Sequence, residues 1–290
     1  KKNDNNLVTF LSYFSLKYLT DIGIDQLSEQ NYEKINDIEC FYINKRNNSK
    51  TNLNFKDKNF KTLGQIVPNN DLFNYLLQKA IEDKNVEIIE ENIEDIIMDK
   101  DIANISLTSG KSYSTKLLIL TDGKNKFTSK FTKSQFIKKP FDQTALSIDS
   151  HVKRNYQNTA YQFFTKDGPL ALLPVNNHRS SFVWSLSDNS EILDFSKEKI
   201  KNEIYKYTKM YIEEPIINSI HKHKLVFSFS KNMTCKNVIL LGEAAHIVHP
   251  IAGQGFNLTL KDLSALYKIL DRYLSLGYDL NHEFILKEFE

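Results

Sequence analysis

The stretch Asn237–Leu270, NVILLGEAAHIVHPIAGQGFNLTLKDLSALYKIL, constrains the fold of this chain more than any other. It opens with Val238-Ile239-Leu240-Leu241, an apolar run with the length and composition of a strand buried on both faces. Gly242 ends that run, and a loop punctuated by Pro250, Gly253 and Gly255 leads into a helix expected from near Asn257. Leu263, Leu266, Tyr267, Leu270 and Leu274 then recur at three- and four-residue spacing, the apolar stripe of an amphipathic helix. Strand, glycine loop and helix in that order have a chemical use. The first N–H groups of a helix lack internal partners and carry partial positive charge, and glycine lets a ligand approach the backbone. The loop therefore suits an anion, or a ring that becomes anionic during reaction. Taken alone it reads equally as a tight strand-to-helix connection or as a ligand site.

Longer wording narrows the choice. Gly242-Glu243-Ala244-Ala245-His246, then His249-Pro250-Ile251-Ala252-Gly253-Gln254-Gly255-Phe256-Asn257-Leu258, then Asp262, resembles the second flavin motif of FAD-dependent aromatic hydroxylases with the p-hydroxybenzoate hydroxylase fold. Within that group the HPIAGQGFNL wording is similar to the ubiquinone-biosynthesis hydroxylases. Leu63-Gly64-Gln65-Ile66-Val67-Pro68-Asn69-Asn70-Asp71-Leu72, Asp122-Gly123, Gly168–Pro174 and Phe182-Val183-Trp184 agree in order, so the resemblance covers almost the whole chain.

The resemblance implies a mixed α/β fold: a Rossmann-like FAD/NAD(P)-binding domain lacking its first βαβ unit, with an inserted, mostly antiparallel β-sheet substrate domain. Residues 1–36, 67–135 and 236–290 are expected in the flavin domain, and 37–66 and 136–235 in the substrate domain. It also implies FAD as cofactor, NAD(P)H or a separate reductase as electron donor, and O₂ with a prenylated phenol as substrates. The phenol would be hydroxylated through a flavin C4a-hydroperoxide. By the same resemblance Gly253, Gln254, Gly255, Phe256 and Asn257 face the pyrimidine end of the isoalloxazine, and Pro250 shapes the flavin face where oxygen reacts. Gly242 and Glu243 lie by the ribityl and phosphate region, and Asp122-Gly123 by phosphate and ribose. Phe163, Phe164, Leu172 and Trp184 are wall candidates for the substrate, although strand alternation makes each equally a core residue. A prenylated substrate implies transient contact with a membrane surface, and ubiquinone biosynthesis implies membership of a biosynthetic complex. The implied location is cytoplasmic, peripheral on the inner membrane.

Composition excludes several other classes. A formal charge of +2 over 290 residues gives no field suited to nucleic acid. No apolar run approaches the roughly 20 residues that span a bilayer, and no signal peptide is expected. Cys40 and Cys235 form no metal or redox pattern. His246 and His249 are three apart in a loop without HExxH order, so a hydrogen-bonding or packing role is expected and no metal. No histidine shows a pattern with serine or cysteine that would suggest a hydrolytic triad.

Along the chain, Leu7, Leu11, Phe14, Tyr18 and Ile22 keep helical spacing and Gly23 follows as a C-terminal cap. Strands are expected at 38–43, 51–55 and 60–67, then a helix capped by Asn70, then strands at 86–89, 93–98, 105–108 and 113–120. A sheet is expected from 144–152, 159–165, 170–174 and 181–186, followed by a helix at 196–211 and a strand at 225–229.

Three departures weigh on cofactor binding. The 290 residues contain no strand–GxGxxG–helix unit, which in the family holds the adenosine diphosphate moiety. Leu7 stands where the family has an arginine, and Lys126 and Ser129 occupy the serine and arginine positions of the DGxxSxxR pattern, with Lys130 next in line. The chain purified alone is therefore expected to carry little flavin. The alternative reading is a truncated or degenerate non-catalytic homologue acting as a binding or scaffold subunit.

Overall fold

A computed structural model describes residues 7–25, 27, 32–43, 50–56, 62–123, 126–131, 136–153, 158–249 and 253–290. The chain divides into two compact units, Lys1–Glu82 with Phe141–Leu225, and Asp83–Pro140 with Val226–Glu290. Its several sheets and helices give the mixed α/β class expected.

In the first unit the chain runs β1 (Val8–Ser12), α1 (Tyr13–Asp21), β2 (Lys34–Ile35), β3 (Asp37–Ile43), β4 (Lys50–Phe55), β5 (Gly64–Pro68) and α2 (Asn69–Glu82). The expected helix from Leu7 is thus half strand. Val8 to Ser12 pair antiparallel with Pro68 to Gly64, and that ladder overrides the helical spacing of Leu7 and Leu11. The helix begins only where the Ser12 hydroxyl accepts from the Ser15 amide at 3.3 Å, and it stops before Gly23 at φ 82°.

The second unit begins with β6 (Ile93–Asp99), β7 (Ile102–Leu107), β8 (Ser112–Thr115), β9 (Leu118–Leu120) and α3 (Lys126–Phe131). The run Val86–Ile89 is not a strand, and all four residues are exposed. A β-prone sequence needs a ladder partner, and the described residues offer it none. The expected strand 113–120 is split by a turn in which the Thr115 hydroxyl donates to the Leu117 carbonyl at 2.9 Å.

β10 (Phe136–His151) carries the chain back to the first unit, followed by β11 (Thr159–Thr165), β12 (Gly168–Pro174), β13 (Arg179–Ser187) and α4 (Lys197–Thr208). These strands build the sheet β14-β10-β13-β12-β11-β3-β4, where β14 is Ile216–Ser230. Register sorts its faces. Leu146 lies opposite Trp184 and Ile148 opposite Phe182, while Leu170 and Leu172 meet the same two rings from β12. Phe163 faces Leu170, and Ile200 and Ile204 of α4 join the cluster. Each such large side chain contributes roughly 1.5–3 kcal/mol when fully buried. Small and polar residues line the other face of the β10–β13 pair: Ala145, Ser147 and Asp149 opposite Ser185, Val183 and Ser181. Buried Asp149 accepts from Arg179 Nε at 2.6 Å and Asn218 Nδ2 at 3.0 Å.

β14 passes into the second unit, where its Ser228 and Phe229 pair with β17 (His246–Ile247). Between them lie β15 (Thr234–Cys235) and β16 (Val238–Leu240), and after them α5 (Gln254–Ser275) and α6 (Glu283–Phe289). α5 starts one turn earlier than expected. Its buried side is Asn257, Leu260, Ser264 and Leu266, while Tyr267 and Leu274 are exposed. An apolar stripe counted from sequence misses small and hydrogen-bonded residues that pack just as closely.

Candidate functional site

β9 and β16 run parallel, Leu118 beside Val238 and Leu120 beside Leu240, so their carboxyl ends stand together. Ligands of open α/β sheets bind at such ends. Past them, the Leu241 amide donates to the Leu120 carbonyl at 2.9 Å and the chain enters a 3-10 turn, Gly242–Ala244. The Asp122-Gly123 turn beyond β9 packs on it directly. A Cβ added to Gly123 would lie 2.1 Å from the Glu243 carbonyl oxygen, so backbone meets backbone there. The Thr128 hydroxyl donates to the Asp122 carbonyl at 3.1 Å and ties that turn to α3.

The start of α5 is the third component. Its N-cap, Gly253, sits in the left-handed region at φ 62°, and no described side chain caps the helix. Among the described residues no side chain accepts from the first amides of this 22-residue helix, which have the helix dipole behind them. The buried Asn257 side chain donates back to the Gly253 carbonyl at 2.9 Å, which braces the bend. Thr259 lies beside Gly242, its methyl 3.4 Å from where a Cβ there would sit. At Gly255, by contrast, an added Cβ would meet only Val248, at 3.9 Å among the described residues. A cavity of about 400 Å³ opens there, lined by Val248, His249, Gln254, Asn257, Leu258 and Lys261. Burial lowers the proton affinity of His249 below its ordinary value.

His246, on β17, sends Nε2 to the Asp262 carboxylate of α5 at 2.6 Å, the hydrogen-bonding role expected of it. No group of three or more metal-ligating side chains occurs among the described residues.

The second unit therefore brings together Asp122, Gly123, Gly242, Glu243, Gly253, Gln254, Gly255, Phe256 and Asn257. The side chains of Asp122 and Glu243 are exposed. Pro250, with Ile251 and Ala252, lies outside the described residues, as do the side chains of Lys126 and Ser129. Lys130 is engaged elsewhere, its ammonium 2.8 Å from Asp95 and 2.7 Å from the Ile96 carbonyl. In the first unit Leu172 and Trp184 are fully buried in the core with Phe163, whereas Phe164 points to the opposite face and is 40% exposed. Sequence reasoning missed Thr128 and Thr259, and it quoted Asp262 without assigning a partner. For the helix the signal was present: 255, 259, 262 and 266 share one face of α5.

The model of the FAD binding domain family matches residues 11–275. The chain belongs to that family. Among its relatives, ubiquinone biosynthesis monooxygenase COQ6 of Dictyostelium discoideum is 25% identical over 287 residues, covering 80% of this chain and 58% of the relative. Human COQ6 is 29% identical, covering 61% of this chain and 46% of the relative. Ubiquinone hydroxylase UbiL of Rhodospirillum rubrum is 26% identical, covering 66% and 46%. The chain spans about half the length of these curated relatives. Solved structures share the fold. PqsL of Pseudomonas aeruginosa superposes with a TM-score of 0.81 at 17% identity, covering 99% of this chain and 81% of that one. Klebsiella pneumoniae HpxO complexed with FAD and uric acid gives 0.75 at 14% identity, covering 99% and 75%. In this family member no described side chain caps the glycine-bounded start of α5, and a Cβ at Gly255 would be in ordinary contact with Val248.

Proposed function

We propose that this chain is the part of a flavin-dependent monooxygenase that receives the isoalloxazine end of FAD and a prenylated phenol, in ubiquinone biosynthesis. The observation that carries the reading is the start of α5, uncapped by any described side chain, beside the joined turns of β9 and β16. The names of the relatives supply the pathway.

FAD, when bound, supplies the redox and oxygen chemistry, with electrons from NAD(P)H or a separate reductase. The chain's residues bind and orient. The amides of Gln254, Gly255 and Phe256 favour negative charge at the pyrimidine end, and Gly255 admits the ring. Gly242, Glu243 and the Asp122-Gly123 turn serve the ribityl and phosphate region. Pro250 is assigned the flavin face by resemblance. Phe164, exposed on the face opposite the core, is the wall residue we favour, with Leu172 and Trp184 supporting the sheet behind it. The flavin part takes 1–36, 67–135 and 236–290, and the substrate sheet 37–66 and 136–235. No helix among the described residues is long and apolar enough to cross a membrane. Contact with a membrane or a biosynthetic complex is proposed as peripheral, to reach a prenylated substrate.

The test is an FAD titration of the chain followed by flavin fluorescence. Little flavin is expected on purification, and weak saturable binding on titration. Gly255→Val, which puts a branched side chain into the ring's space, is expected to remove that binding. Absence of saturable binding, or identical binding by the variant, refutes the placement.

A further inference from the structure

We infer that His246 and Asp262 form a positioning pair that fixes the turn after β16 against α5, and so sets where the open amides of Gln254, Gly255 and Phe256 stand. The inference rests on the proposed flavin reading only for what those amides are held toward.

The geometry is specific. Nε2 of His246 lies 2.6 Å from Oδ2 of Asp262, and the imidazole is only 6% exposed. A carboxylate can only accept, so the proton sits on Nε2 and donates. Nδ1 is buried and has no partner among the described residues. The orientation of the ring therefore depends on Asp262, whereas a histidine anchored through both nitrogens would survive loss of either. The backbone on either side of the ring is tied to β14: the Ser230 amide donates to the Ala245 carbonyl at 2.8 Å, and Phe229 pairs with His246. On the helix, Thr259 touches Gly242 one turn before Asp262, and Asn257 braces Gly253. The hydrogen bond thus joins a segment fixed on β14 to the helix whose first turn is the site. Removing the carboxylate leaves two buried nitrogens without partners among the described residues, which is costly enough to expel the ring. The segment would then move relative to α5, and the bend at Gly253 with it.

The test uses the full chain. In ¹⁵N-labelled protein the proton of the His246 imidazole is expected on Nε2. The amide signals of Gln254, Gly255 and Phe256 are expected to shift or broaden in Asp262→Leu. They should return in Asp262→Asn, whose side-chain oxygen still accepts. FAD affinity is expected to fall about tenfold in Asp262→Leu, the equivalent of one buried hydrogen bond, and to recover in Asp262→Asn. Unchanged amide signals at the α5 start in Asp262→Leu overturn the inference. So does a uniform loss of stability with no selective change there, or a proton found on Nδ1 with Nε2 bare. If Asp262→Leu does not fold, the Nε2 proton and the Asp262→Asn spectrum decide the matter. A wild-type chain that binds no FAD sinks the flavin reading, while the amide signals still decide the pair.

Discussion

Around Trp184 the first unit packs large rings and branched chains against one another, whereas around Gly123 the second unit packs backbone against backbone. In the first region many side chains share the burden of filling space, so a swap that keeps volume is tolerated. In the second a single carbon has no room, because a carbonyl occupies its place. The two regions also differ in what they leave open. The sheet core is closed by α4, while the joined turns end at a helix start that no described side chain caps. The former closes around its side chains, while the latter ends at a helix start that the described residues leave uncapped.

The largest effect should come from the core. Trp184→Ala is expected to destabilise the chain by about 3–5 kcal/mol, read as a fall in the urea midpoint. Trp184→Phe should cost far less. It keeps most of the volume and removes an indole N–H that has no partner among the described residues. Equal losses for the two would mean that volume is not what this face depends on. Gly123→Ala comes next, at about 1–3 kcal/mol, because the Glu243 carbonyl must move to make room. A variant as stable as the parent would show that the two turns do not touch in solution, and the contrast between the regions would fail.

How much of this could be read from the sequence follows the same divide. Period-two alternation announced 144–152 and 181–186, since each strand shows its large residues to one face and small ones to the other. The site's wording was legible through Gly242–Glu243 and Gly253–Asn257, because the resemblance preserves residue types at fixed spacing. Its physical cause was not. The carbonyl that requires glycine at 123 belongs to Glu243, far along the chain, and no local pattern carries that contact. Residues 7–12 read as helix by the spacing of Leu7 and Leu11, and only pairing with Gly64–Pro68 overrode that spacing. Val86–Ile89 had a strand's composition without a ladder among the described residues. His246 and Asp262, sixteen apart, were both in view, but their bond depends on how β17 meets α5.

Gly255 sharpens the comparison from the other side. Among the described residues, an added methyl there meets only Val248 at 3.9 Å, unlike the collision at Gly123. Alanine also suits a helix better than glycine. Gly255→Ala is expected to stabilise the apo chain by up to roughly 0.5–1 kcal/mol. FAD binding should weaken in the same variant, since the methyl projects into the space assigned to the ring. Higher thermal stability with lost flavin affinity would mark a glycine kept for a ligand. Loss of both would mark one kept for packing, as at Gly123.

The smallest effect concerns acid. Burial lowers the proton affinity of His249, which lines the cavity beside α5. As pH falls below about 6.5, the ordinary value for histidine, the unfolded chain takes up this proton before the folded one does. The unfolded state then binds more protons, so stability rises with pH through that window. The contribution of His249 is complete above the unfolded value and is lost on acidification. His249→Leu is expected to flatten the dependence of melting temperature on pH between about 7.5 and 5.5, by a small margin because the group is only partly buried. A slope unchanged from the parent would mean that the cavity is wet enough to solvate the charged ring. The open region would then differ from the closed core in hydration as well as in packing, and a flat ring entering beside Gly255 would have water to displace.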